Sequence, residues 1–178
     1  MTSELTSEAL GLRIAVVEVE SYASETGWDQ PARLFALVRT DELAIAEPEL
    51  AAELGVGGHA ELFTPVEQEL AEPGGSLEQL LGRITWPEAV EGALAVVERV
   101  VLPPEAEDQM PDDPVAATDF AARHQDREDV RIAVGVLRSG ESHCVVRMRA
   151  HDSVDELLHG SDVVPGLIEA LRETLEHE

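Results

Sequence analysis

Lysine is absent from this chain, and all 12 of its basic residues are arginine. No side-chain amine is therefore available for a Schiff base, for acylation or for attachment of a protein tag. Free use of Ala, Glu, Val and Arg beside that gap fits coding from a GC-rich genome. Aromatic residues make up only 3% of the chain against an apolar fraction of 44%, so the core has to be built from Leu, Val, Ile and Ala. A single cysteine, Cys144, excludes an internal disulfide and fits a reducing compartment. No apolar run approaches membrane-spanning length, and the stretch after Met1 has no basic region leading into an apolar one. These absences predict a soluble, cytoplasmic protein with no membrane partner.

Positive charge is scarce as well. The chain sets 37 acids against 12 bases, for a formal net charge of −25. Nonspecific attraction to DNA or RNA needs clustered cations that release counterions, so nucleic acid is excluded as a partner class. A length of 178 residues suits one domain, 1–178, that can bury a core without metal or disulfide.

What is present is an alternation of helical and extended periods. Thr6 or Ser7 caps a helix over 7–26, and Gly27 ends it. Residues 33–39 read as a strand, and 41–54 return to a helical composition interrupted at Pro48. Gly55–Gly58 is a loop, followed by a short strand at 59–63. Three hydroxyl-x-x-Glu/Gln boxes, beginning at Thr64, Ser76 and Thr85, predict short helices over 65–70, 77–82 and 87–91. Residues 94–102 form a third strand. The run 103–114, with four prolines and five acids, is an exposed loop. Asp113 and Pro114 open a helix to about His124, and Ser153-x-x-Glu156 caps another short one. A last amphipathic helix carries Leu167, Ile168, Leu171 and Leu175. The fold class is α+β: a single, mainly antiparallel sheet of about five strands, in the order α-β-β-β-α-β-β-α, plus short inserted helices.

The clearest hairpin runs from Asp129 to Ala150, turning at Arg138-Ser139-Gly140-Glu141. Half of the basic residues fall between 123 and 149, where six arginines meet only four acids. Alternation puts Val130, Ile132, Val134 and Val136 on one face and Arg131 on the other, where Arg147, Arg149 and His143 join it. If the aliphatic face meets the core, Arg131, Arg138, Arg147, Arg149 and His143 form an exposed site that could clasp carboxylate or phosphate. The plainer alternative is that these arginines pair with the chain's own acids.

Catalytic signatures fail on spacing. His143, His151, Asp152 and His159 are the densest metal-ligating group, yet no His-Glu-x-x-His or Cys-x-x-Cys is present. Cys144 and His143 are neighbours on a strand and so point to opposite faces, which denies the thiol its base. Gly55-Val56-Gly57-Gly58 lacks the Lys-Ser/Thr of a phosphate loop. No cofactor is expected. Trp28 and Trp86, each beside a proline turn, read as core plugs.

Several stretches resemble a family of uncharacterised actinobacterial proteins of about this length: Gly27-Trp28-Asp29-Gln30-Pro31, Arg33 to Val38, Thr64 to Glu69, Trp86-Pro87, and Val97-Glu98-Arg99 with Leu102-Pro103-Pro104. The resemblance implies a bacterial cytoplasmic protein and brings no activity with it. The element order is also similar to that of secretion-chaperone-like proteins, which implies binding of a segment of another protein. The expected function is a non-enzymatic protein-binding or chaperone-like adaptor for an acidic peptide or partner surface, with a homodimer through a sheet edge or a terminal helix as a further expectation. The alternatives are a metal-dependent enzyme and a protein that binds small anions.

Overall fold

A computed structural model describes residues 7–53, 62–69, 77–150, 152, 156–160 and 165–176. Helix α1 spans Ser7–Ser24 and turns out through Gly27, whose φ of 82° no branched residue would adopt readily. Strand β1 is Arg33–Arg39, followed directly by α2, Thr40–Ala46, and α3, Pro48–Glu53. Next come β2, Phe63–Gln68, α4, Leu77–Leu81, and the long β3, Val90–Val101. Two helices, α5 at Pro104–Glu107 and α6 at Pro114–Arg123, lead to the hairpin of β4, Glu128–Leu137, and β5, Ser142–Met148. The chain closes with β6, Leu158–Gly160, and α7, Pro165–Glu176.

The six strands form one open sheet in the order β2-β1-β3-β4-β5-β6, with every neighbouring pair antiparallel. The α+β class and the hairpin register follow the alternation read from sequence: Ile132 stands opposite Val146, and Arg131 opposite Arg147. Among the described residues the sheet has six strands rather than about five, because Leu158–Gly160 adds an edge strand beside β5. A helix had been expected to begin at Ser153, which lies outside the described residues. Two boxes that resemble helix caps belong to other structures. Thr64 and Glu67 lie in β2, where the Thr64 hydroxyl meets that of Thr40 at 2.8 Å and Glu67 takes a two-pronged bond from Arg33. Thr85 to Glu88 is a turn before β3, held by buried Trp86, whose Nε1 donates to Thr174 Oγ1 at 2.8 Å.

Both faces of the sheet are covered. On one side Leu167, Ile168, Leu171 and Leu175 of α7 pack on Ala95, Val134, Val136 and Val146. On the other, Leu12, Val16 and Val19 of α1 pack on Phe35, Leu37, Leu94 and Val145. Full burial of each such side chain contributes roughly 1.5–3 kcal/mol. Gly135 on β4 lets α1 come this close, since a Cβ there would lie 2.8 Å from Leu12 Cδ1 and 2.9 Å from Val16 Cγ2. The expectation of a solvated outer sheet face is corrected by this layer. The face that carries Arg131 and Arg147 lies beneath α1.

Among the described residues no helix is long and apolar enough to cross a membrane.

Candidate functional site

Arg131 on β4 and Arg147 on β5 are direct cross-strand neighbours, a pairing that places two like charges side by side. What separates them is Glu20 of α1, fully buried, whose carboxylate reaches down between the two guanidiniums. Arg147 donates from Nε to Glu20 Oε2 at 2.8 Å and from Nη2 to Oε1 at 2.7 Å, a bidentate fork. Its remaining nitrogen, Nη1, donates to Asp152 Oδ1 at 3.0 Å. Arg131 stands 3.6 Å from Glu20 Oε2 through Nη1 and donates from Nη2 to the Gly27 carbonyl. Only 1% of Arg131 and 5% of Arg147 is exposed, which corrects the expectation that these two arginines face solvent. The Glu20 bonds, working against burial, raise Arg147 above the ordinary guanidinium range.

The loop 27–31 straps the cluster shut. The guanidinium carbon of Arg131 lies 4.5 Å from the centre of the Trp28 ring, and that of Arg149 lies 5.6 Å from it. Trp28 Nε1 donates to Asp152 Oδ2 at 3.0 Å. This bond, followed by the charges of Arg147 and Arg131, holds the Asp152 carboxyl below the usual range. Arg149 forks onto Asp29 at 3.1 and 3.2 Å. Asp29 itself adopts φ 65°, a left-handed conformation that Asp tolerates better than most residues. Beneath it, Glu98 accepts the backbone N–H groups of Asp29 and Gln30 at 2.8 and 2.7 Å. Two arginines and two carboxylates, Glu20 and Asp152, thus form a charge-balanced cluster.

The other candidate residues lie elsewhere. Arg138, at the far end of the hairpin, donates to the carbonyls of Val90 at 2.7 Å, Pro87 at 3.0 Å and Leu175 near the end of α7. A cation at a helix C-terminus is favoured there. His143 pairs with His159 of β6, Nε2 to Nδ1 at 3.1 Å. Burial first, then the charges of His159 and Arg13, push His143 down to about 4. Cys144 is fully buried in the α7-side core. Among the described residues, no group of three or more His, Cys, Asp and Glu could hold a metal ion. His151 lies outside them.

Sequence reasoning found the arginines and missed Glu20, the partner that organises them. The signal was an acid one residue after Val19 and four after Val16, on the apolar stripe of a helix. Trp28 was read as a core plug, but it is half-buried and works as a lid. A separate, open depression of about 680 Å³ lies along α6, lined by Ala116, Asp119, Phe120, Arg123 and His124 among others.

These features define an acidic α+β protein with one antiparallel sheet between helices and an arginine fork filled by its own glutamate. Residues 12–176 match the family of PPA1309-like proteins, and the chain belongs to that family. No curated protein and no solved structure matches it.

Proposed function

We propose that this protein is a non-enzymatic, chaperone-like adaptor that binds a basic segment of another protein on its acidic exterior. The observation that carries this reading is Glu20 seated in the fork of Arg147. The fork that could have clasped a foreign carboxylate is taken up internally, and the arginines serve the framework. With Arg131, Arg147 and Arg138 engaged inside or along the backbone, the outer surface of a chain of net charge −25 is left strongly negative. Such a field attracts cationic partners and speeds their encounter. The α6 side suits the contact: Val115 is 78% exposed and Val100 and Val101 are 44% exposed, with Asp112, Asp113 and Asp119 exposed nearby in sequence.

The test is fluorescence anisotropy with two labelled peptides of equal length, one rich in Arg and Leu, the other rich in Glu and Leu. The reading expects the basic peptide alone to bind, with affinity reduced by salt and by Asp112→Asn with Asp119→Asn. Binding of the acidic peptide instead would overturn it.

A second reading, a small-anion sensor, draws on one atom. Nη1 of Arg131 is buried without a hydrogen-bond partner. Thermal stabilisation by organic acids or nucleotides, lost in Arg131→Met, would favour it over the first.

A further inference from the structure

Helix α1 is apolar on two opposite sides, and the sheet buries one of them and takes only Val17, in part, from the other. Leu12, Ala15, Val16, Val19 and Ala23 are buried against β1 to β5. At 100° per residue, Leu10, Ile14, Val17 and Ser21 fall on the reverse side as a narrow line with spacings of four, three and four. Leu10 is 47% exposed and Ile14 42%, while Ser21 is half-buried and Val17 is half-buried against the sheet-side core. A helix lying on a sheet normally turns a polar face to water. This one presents the spacing of a coiled-coil seam.

We propose that two copies of this chain pair along that seam, α1 beside α1, in parallel. The charges flanking the line select both the occupant and the direction. Arg13 and Glu18 are exposed on opposite flanks, five residues apart. In a parallel two-fold pair, a residue on one flank meets the residue five positions later on the partner's other flank, so each Arg13 faces the second copy's Glu18. An antiparallel pair would set Arg13 against Arg13 and Glu18 against Glu18. The seam residues agree with the parallel choice, because Ile14 and Leu10 then occupy the positions where Ile and Leu favour two strands. The surface is self-complementary, as a two-fold interface requires. This dimer is independent of the basic-partner reading.

The experiment is sedimentation equilibrium on the full chain at micromolar concentration, with circular dichroism to confirm folding. The wild type is expected to be a dimer and Ile14→Asp a folded monomer. Arg13→Glu and Glu18→Arg should each weaken the dimer about tenfold, and the double reversal should restore it. Leu10→Cys gives the direction: parallel pairing brings position 10 beside itself, so mild oxidation should cross-link the dimer, while the native Cys144 is buried. A monomeric wild type, a dimer that survives Ile14→Asp, or a Leu10→Cys dimer that does not cross-link would overturn the proposal.

Discussion

Arg147 meets Glu20 across the interface between sheet and helix, with two parallel bonds of 2.8 and 2.7 Å and both residues buried. The pair fixes α1 at a defined height on β5, because a fork onto a carboxylate tolerates little sliding. A buried pair is weak support for stability when compared with a well-packed apolar one, since both ions lose their hydration. Removing one partner is a different matter, as it strands the other in a medium of low dielectric. The pair is therefore satisfied only as a unit, with Arg131, Asp152 and the Trp28 strap completing it.

Stability should fall between neutral and mildly acidic pH through His143. Burial, His159 on β6 and Arg13 on α1 lower its pKa to about 4, against about 6.5 in an unfolded chain. The unfolded state then binds the proton first, so the contribution is complete above about 6.5 and is lost as pH falls toward about 4. Urea midpoints should decline over that window, and His143→Gln should flatten the decline. An NMR titration of His143 near 6.5 would contradict the prediction.

Adding a single methyl group to β4 should disturb α1. Gly135→Ala places a Cβ within 3 Å of Leu12 and Val16 and is expected to cost about 1–3 kcal/mol in urea unfolding. Val16→Ala in the same chain should recover part of that loss. Equal stability of Gly135→Ala and wild type would mean that α1 does not lie so close.

Much of this was legible in the sequence, and the gaps have physical causes. The period of two in residues 129–149 assigned the hairpin faces, because side chains on a strand alternate whatever covers them. What that alternation could not say was whether the arginine face met water. The answer lay more than a hundred residues away, in the placement of Glu20 on α1. The boxes at Thr64 and Thr85 misled for a related reason. A Thr followed three residues later by Glu is a local pattern, and pairing of β2 with β1 and the packing of Trp86 on α7 overrode it. Asp113 and Pro114 were read correctly because that cap is local: Asp113 Oδ2 accepts from the Ala116 N–H at 3.0 Å.

Cys144 should be unreactive in the folded protein. Its residue is 0% exposed in the α7-side core, so a thiol reagent should label one group per chain only after unfolding in denaturant. Rapid labelling in native buffer would place that core wrongly.

Replacing Arg138 should loosen the end of α7. Arg138→Met removes donors from the carbonyls of Val90, Pro87 and Leu175 and is expected to cost about 2 kcal/mol. Hydrogen exchange should rise first in the last turn of α7. Unchanged exchange there would argue against the bond to Leu175.

The central claim is that the arginine-rich hairpin is turned inward onto Glu20, and a double-mutant cycle of Glu20→Gln and Arg147→Met in urea unfolding tests it most directly. The account predicts about 3–5 kcal/mol for each single change and a double mutant less destabilised than their sum by about 2 kcal/mol. Singles below about 0.5 kcal/mol that simply add would be the behaviour of solvent-exposed charges and would contradict it.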